Sequence, residues 1–363
     1  MLGRKPNRRP DRPKVTGKTR GEVQRQLAEL CRKADVGLSN DLLQGHQTVA
    51  AYLAAWLEAA GTSTRPQTLQ GYRQIVRDHI TPSLGRYKLG ALRADAIQRL
   101  YAAKLSEGLS HYTVRKIHIV LHRALEMAVR WRYVPRNPAD DVDPPPATKR
   151  DIPAPEPAQL TRLVEAADAA GDRLTALWTL AIYTGCRQGE LLALGWSDLD
   201  LDRGTLTVRR TLVRVKDHAP QFGSPKSETS RRTISLPSIA VAVLRAHKAH
   251  QAEERPAARH WADNGLVFCT GVGTPLIRRN VTRDFKAALR RAGLPATIRF
   301  HDLRHAHATL MLRAGVPLKV ASGRLGHGSV AITADLYQHW PTDMDQDAAE
   351  RTASAAHMSS GVN

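Results

Sequence analysis

Pro144-Pro-Pro-Ala-Thr-Lys-Arg-Asp-Ile-Pro-Ala-Pro-Glu-Pro157 divides this chain of 363 residues. Each proline removes a backbone donor and holds φ near −65°, so six of them in fourteen residues predict an extended connector over 144–157, not a helix or a central strand. Length agrees, since ~100–200 residues per domain makes this chain two or three units. Upstream of the connector, Val49, Tyr52, Leu53, Trp56 and Leu57 fall on one face of a helix. Helical patterns follow from Thr68 to Ile80, Arg93 to Glu107 and Ser110 to Trp131, with Pro82 and the Gly85 to Gly90 turn as punctuation. Residues 47–143 therefore predict a bundle of four or five helices. Before it, residues 1–46 form a basic arm whose only regular element is a short helix from Thr19 to Lys33, with Thr19 and Glu22 placed as a capping box.

Downstream of the connector, Ala158 to Ala169 and Arg173 to Thr184 read as helices, the second stopped by Gly185. The β-rich runs Gly204 to Val215, Arg232 to Leu236 and Gly265 to Cys269 predict one small sheet. Helices return from Asn280 to Ala292, Phe300 to Ala314, Pro317 to Leu325 and Ala331 to His339. The fold class is mainly α with a small antiparallel β-sheet in the second unit, residues 158–345, which a tail over 346–363 follows.

Lysine and arginine total 54 against 34 acidic residues, a net charge of +20 that points to a polyanionic partner, nucleic acid first. Apolar residues at 42% exclude wholesale disorder, and no run approaches the ~18 apolar residues of a membrane span. The basic start has no apolar segment behind it, so the expectation is a cytoplasmic protein without a membrane partner. Cys31, Cys186 and Cys269 stand far apart without a CxxC pair, which argues against a disulfide framework and a cysteine zinc site and for buried thiols. The positive surplus is concentrated: eleven basic against three acidic residues in 1–33, and fourteen against eight in 47–143. Within the helix Ser110 to Trp131, Arg115, Lys116 and Arg123 are the DNA-contact candidates, although any solvated helix face would also be polar.

Four segments of the second unit carry the chemistry. Thr184-Gly-Cys-Arg-Gln-Gly-Glu190 places Arg187 at a helix start, where free N–H groups favour an anion. Phe300-His-Asp-Leu-Arg-His305 sets His301 and Arg304 three residues apart, so an imidazole and a guanidinium can address one oxygen-rich group. Leu325-Gly-His-Gly328 offers His327 between two glycines, and Tyr337 follows ten residues later. Taken singly, a tyrosine is more often core or surface than nucleophile. His301, Asp302, His305 and His307 also allow a metal phosphohydrolase, but that leaves Arg187, Arg304 and Tyr337 without a role, and His305 and His307 share a helical face poorly.

Together, Thr-Gly-x-Arg, His-x-x-Arg, Leu-Gly-His and the spaced tyrosine resemble the tyrosine recombinase family, the phage-type integrases. Gly223-Ser-Pro-Lys-Ser-Glu-Thr-Ser-Arg-Arg-Thr-Ile-Ser-Leu-Pro237 adds that family's lysine hairpin at Lys226. The motifs run in order from Thr184 to Tyr337, and the layout, a helical core-binding (SAM-like) bundle before a catalytic domain, covers about residues 47 to 345. The resemblance implies a site-specific recombinase that cleaves and rejoins DNA through a 3′-phosphotyrosyl bond, with Tyr337 as nucleophile. It further implies Arg187, Arg304 and His327 on the phosphate, His301 as general base, Lys226 as general acid, and Glu190 orienting the basic cluster. Neither a cofactor nor a metal is implied, since bond energy is retained and two arginines take the cation's place. Partners would be double-stranded attachment sites, three further copies in a homotetramer, and a directionality factor or host DNA-bending protein in a bacterial nucleoid.

The expected role is integration or excision of a phage or integrative element. Transposon, plasmid and chromosome-dimer recombinases share the same motifs. A non-catalytic DNA-binding regulator would have lost a catalytic residue, and none is lost. Two departures stand out. The start is short for the family's arm-binding module, which puts specific arm-site binding in doubt and leaves non-specific contact for the basic tail. The acidic tail, with Asp343, Asp345, Asp347 and Glu350 against Arg351, is expected to dock on a neighbouring protomer through Met344 to Ala356.

Overall fold

In the computed structural model of the chain, the residues described are 16–17, 19–35, 47–146, 154–213, 221–223 and 230–336. Lys226, Tyr337, the tail, most of the arm and the middle of the connector lie outside them. The chain separates into two compact units, Met1–Asp151 and Ile152–Asn363.

In the first unit, α1 (Arg20–Asp35) starts where expected, with the Thr19 hydroxyl accepting from the Glu22 N–H at 3.3 Å. The bundle then runs α2 (Val49–Gly61), α3 (Pro66–Ile75), α4 (Thr81–Leu84), α5 (Ala94–Ser106) and α6 (His111–Arg130). Thr48 and Ser110 cap α2 and α6 by accepting from Ala51 N–H and Thr113 N–H. All five residues on the expected face of α2 are buried. They meet Val114, Ile117, Leu121 and Leu125 of α6 in one core, across which the Tyr52 hydroxyl donates to the Ala124 carbonyl. Pro82 does not break the chain as expected. Val76–Ile80 widens into a π-helical turn in which Thr81 N–H reaches Val76 O, so the helical path from α3 to α4 runs on past a residue with no donor.

The second unit begins with α7 (Pro157–Ala169), α8 (Thr175–Thr184) and the single turn α9 (Gln188–Leu191). Among the described residues five strands follow: β1 (Leu199–Asp200), β2 (Thr205–Val208), β3 (Thr211–Val213), β4 (Gln221–Gly223) and β5 (Arg232–Ser235). Helices α10 (Ser238–Ala257), α11 (Arg278–Arg291), α12 (Asp302–Arg313), α13 (Leu318–Leu325) and α14 (Val330–Leu336) complete it. Its core centres on α8, whose Trp178 packs against Phe285 of α11 and Phe300 at ring separations of 5.3 and 5.9 Å.

The structure corrects the sequence reading of this unit in three places. The described strands form two antiparallel sheets, β1-β2-β5 and β3-β4, not one. Gly265 to Cys269 is no strand; it makes isolated bridges, Gly195 to Leu266 and Cys269 to Pro275. The twenty-residue α10 was not anticipated. Its inward positions Ala240, Leu244, His247 and Gln251 do recur at helical spacing, but two are polar and are satisfied by the Val267 carbonyl, so hydropathy alone does not trace the face. Cys186 and Cys269 are buried free thiols, and no helix among the described residues is long and apolar enough to cross a membrane.

Candidate active site

The site is built where three helix ends meet. Helix α8 stops at Gly185 in the left-handed region, φ 60°. Only a residue without Cβ fits, because such an atom would lie 2.8 Å from side-chain carbons of His307 and Leu325. This close approach brings α12 and α13 against the turn that presents Arg187.

Arg187 sits at the N-terminal boundary of α9 with its side chain 40% exposed. Its own N–H donates to Glu190 Oε2 at 2.9 Å, and its Nη1 donates to Oε1 at 2.8 Å. The anion-binding capacity expected of this helix start is therefore taken up by Glu190, and α9 is a single turn. What faces outward is the guanidinium, whose Nη2 also reaches the Gly326 carbonyl at 3.2 Å. Glu190 is nearly fully buried. Burial opposes its charge, but Arg232, and then the backbone and side chain of Arg187, outweigh that and hold the carboxyl below its ordinary range.

Arg304, on the first turn of α12, is buried at 3% exposure. Its Nη1 donates to Gly185 O and its Nη2 to Leu325 O, both at 2.7 Å, so the guanidinium lies between the carbonyl ends of α8 and α13. Those ends carry partial negative charge, which suits a buried cation. Burial, followed by Arg187, lowers the guanidinium to about 9, so it remains protonated at neutral pH.

His327 follows the left-handed Gly326 that ends α13, and its Nδ1 lies 2.7 Å from the buried Thr333 hydroxyl. That contact fixes the ring and leaves Nε2 for a ligand. Burial, then Arg304 and Arg187, lowers His327 to about 4. His301 is not inside α12 but at its N-terminal boundary, solvent-exposed, with its ring edge-on to His305 at 4.9 Å. The protein packed around it, then His305 and Arg304, lowers it to about 4 as well. Both imidazoles are neutral at pH 7.

Arg187, Glu190, His301, Arg304 and His327 thus share one locality, and Arg232 and Arg324 join them without having been expected. Arg232 donates to Glu190 Oε2 at 2.9 Å. The signal was present, because Arg232 lies two residues before the buried Ile234 and so on the inward face of β5. A charged residue in phase with a buried face needs partners. Among the described residues no group of three or more His, Cys, Asp or Glu side chains is placed to hold a metal; Asp302 is engaged by the N–H and guanidinium of Arg299, and His307 lies 3.3 Å from Arg324 Nε.

In the bundle, the three DNA-contact candidates lie on α6. Arg115 donates to Pro145 O, the Lys116 ammonium stands 4.5 Å above the Tyr112 ring, and Arg123 donates to the Tyr72 hydroxyl at 2.8 Å.

The second unit is thus mainly helical, with small antiparallel sheets and a cluster of guanidinium and imidazole groups. The Tn1549 transposon integrase, solved in complex with a circular intermediate DNA, has this fold: TM-score 0.72 at 20% identity, over 84% of this chain and 99% of that one. The phage integrase family pattern matches residues 156–343, and the N-terminal SAM-like domain pattern of phage integrases matches residues 48–105. A tyrosine recombinase XerC-like protein of Caldanaerobacter subterraneus is 31% identical over 93% of this chain and 90% of its own length. An integrase of Streptomyces ambofaciens is 34% identical over 89% and 84%. The chain belongs to the phage integrase family of tyrosine recombinases, enzymes that cleave and rejoin DNA.

Proposed function

We propose that the chain is the integrase of a phage or other integrative element, and that Tyr337 is its nucleophile. The observation that carries this reading is the meeting of Arg187 with Arg304 and His327, which lie more than a hundred residues further along the chain, through bonds to Gly185, Leu325 and Gly326. The phenol oxygen of Tyr337 attacks the scissile phosphorus as the P–O5′ bond breaks, leaving a 3′-phosphotyrosyl bond and a 5′-hydroxyl. Arg187 and Arg304 stabilise the charge that develops on the non-bridging oxygens. His327 adds a hydrogen bond from Nε2 when Thr333 donates to Nδ1.

His301 begins neutral and can take the phenol proton, and the negative charge of bound phosphate raises its basicity. Lys226 protonates the leaving 5′-oxygen. Attack by the 5′-hydroxyl of a partner strand reverses the step. Glu190 holds Arg187 in place throughout.

The bundle, residues 47–143, holds core-site DNA through α6, where Arg115, Lys116 and Arg123 contact phosphates, and residues 158–345 contain the chemistry. Residues 144–157 link the two, residues 1–46 add non-specific contact, and residues 346–363 dock on the neighbouring protomer of a homotetramer. Attachment-site DNA, a directionality factor or a host DNA-bending protein completes the assembly, which works in the nucleoid of a bacterial host.

The test is Tyr337→Phe on a suicide duplex carrying the element's end. DNA binding is retained and no covalent adduct forms; an adduct at wild-type yield rejects the assignment. Wild-type activity persists in EDTA.

A further inference from the structure

Two arginines outside the proposed catalytic set bind each other's strand and helix in reverse. Arg232, on β5, donates from Nε to the Arg324 carbonyl of α13 at 2.7 Å. Arg324, on α13, donates from Nη2 to the Ser235 carbonyl at the end of β5 at 2.9 Å. Each side chain then continues to a second element. Arg232 Nη2 reaches Glu190 Oε2 at 2.9 Å, while Arg324 Nη2 reaches the Tyr183 carbonyl, two residues before Gly185, at 3.1 Å. The Arg232 guanidinium also lies beneath Gly326, where an added Cβ would come within 2.8 Å of Nη1. Both guanidinium groups bond to protein acceptors, and the Arg232 side chain is 7% exposed.

We propose that Arg232 and Arg324 form a reciprocal clasp between β5 and α13 that sets the position of Arg187 relative to His327. The proposal rests on the reading that Arg187 and His327 act on one phosphate. Arg232 touches both sides of that path: Glu190, which holds Arg187, and the last turn of α13, which presents Gly326 and His327. Arg324 fixes the same turn from behind. Both are therefore positioning residues, acting through Glu190 and through the backbone at Leu325 and Gly326. Around the Glu190 carboxylate stand Arg187 and Cys186 from its own segment, Arg232 from β5 and Arg304 from α12. Of these, Arg187, Arg232 and the Arg187 N–H donate to it directly.

The experiment uses the full chain and a nicked duplex carrying one end of the element that encodes it. Single-turnover adduct formation at saturating protein is measured beside Kd and thermal unfolding. Arg232→Gln and Arg324→Gln each slow adduct formation about 100-fold, as a displacement near 1 Å does, with Kd within about threefold of wild type. If the two form one device, the double variant is no more than about threefold slower than the worse single variant. Arg232→Gln also moves the acid limb of the rate profile to higher pH, because Glu190 loses a cation. Arg232→Lys restores that limb but not the rate, since an ammonium cannot span Glu190 and Arg324 O.

A general loss of folding would lower the rate equally at every pH and would not separate these readouts. Rates within threefold of wild type, fully additive losses or an unmoved acid limb overturn the clasp. If Arg232→Gln does not fold, Arg232→Lys decides, and a wild-type rate for it is equally fatal. Arg187→Lys tests the underlying reading separately: if it cleaves normally, the phosphate assignment fails whatever the clasp does.

Discussion

Arg304 donates to the carbonyl of Gly185, 119 residues earlier in the chain, with an N···O separation of 2.7 Å. Through its other terminal nitrogen it binds Leu325, so one buried cation joins the ends of α8 and α13. Replacement by alanine leaves two carbonyls without their donor. At about 1–3 kcal/mol for each buried group left unpaired, Arg304→Ala lowers stability by roughly 2–6 kcal/mol in chemical denaturation. It also abolishes adduct formation. Arg304→Lys folds better than the alanine variant but cleaves poorly, because one ammonium cannot hold the same planar pair of bonds.

Gly185 tolerates no side chain. The αL conformation costs an L-residue about 1–2 kcal/mol, and the clash with His307 and Leu325 adds the ~1–3 kcal/mol typical of overpacking. Gly185→Ala should lose about 2–5 kcal/mol in a denaturant titration. A loss under about 1 kcal/mol would show that the three helix ends move apart easily.

Stability should fall in acid because of His307. Burial first, then Arg324, depresses this imidazole to about 4, against ~6.5 in an unfolded chain. The unfolded state therefore binds more protons between these values, and stability rises with pH there. The contribution is complete above about pH 6.5 and is lost progressively as pH falls towards 4, by up to roughly 3 kcal/mol. His307→Gln should flatten that part of a stability profile; an unchanged slope would assign the effect to other groups.

Lys116 gives the simplest test of the bundle. If its ammonium, now over the Tyr112 ring, meets a phosphate, Lys116→Ala reduces the slope of log Kobs against log salt by about 0.9. Affinity for specific and unrelated duplexes should drop by similar factors. A change confined to one sequence would make the contact one of base readout.

Tyr52 links the bundle core by donating to the Ala124 carbonyl. Tyr52→Phe keeps the rings stacked edge-on against Trp131 and Tyr133 but leaves that carbonyl short of its donor. The expected cost is about 1–2 kcal/mol by thermal unfolding, with DNA cleavage at saturating protein unchanged.

The sequence by itself determined the elements whose cause is local. Spacing of Val49, Tyr52, Leu53, Trp56 and Leu57 defined α2, Thr48 and Ser110 are caps, and Gly185 is a stop because its φ admits little else. The ordered motifs pointed to the family and to the six residues proposed for its chemistry, since those residue types must be present whatever holds them. Tertiary structure decided which partners those residues have. It gave the N–H of Arg187 to Glu190, placed Arg304 between two helix ends, and recruited Arg232 and Arg324, whose bonds go to backbone carbonyls that every residue possesses. A carbonyl has no sequence signature. Its selection by a buried guanidinium depends on where two distant helices end, and that is settled only when the core around Trp178 is packed.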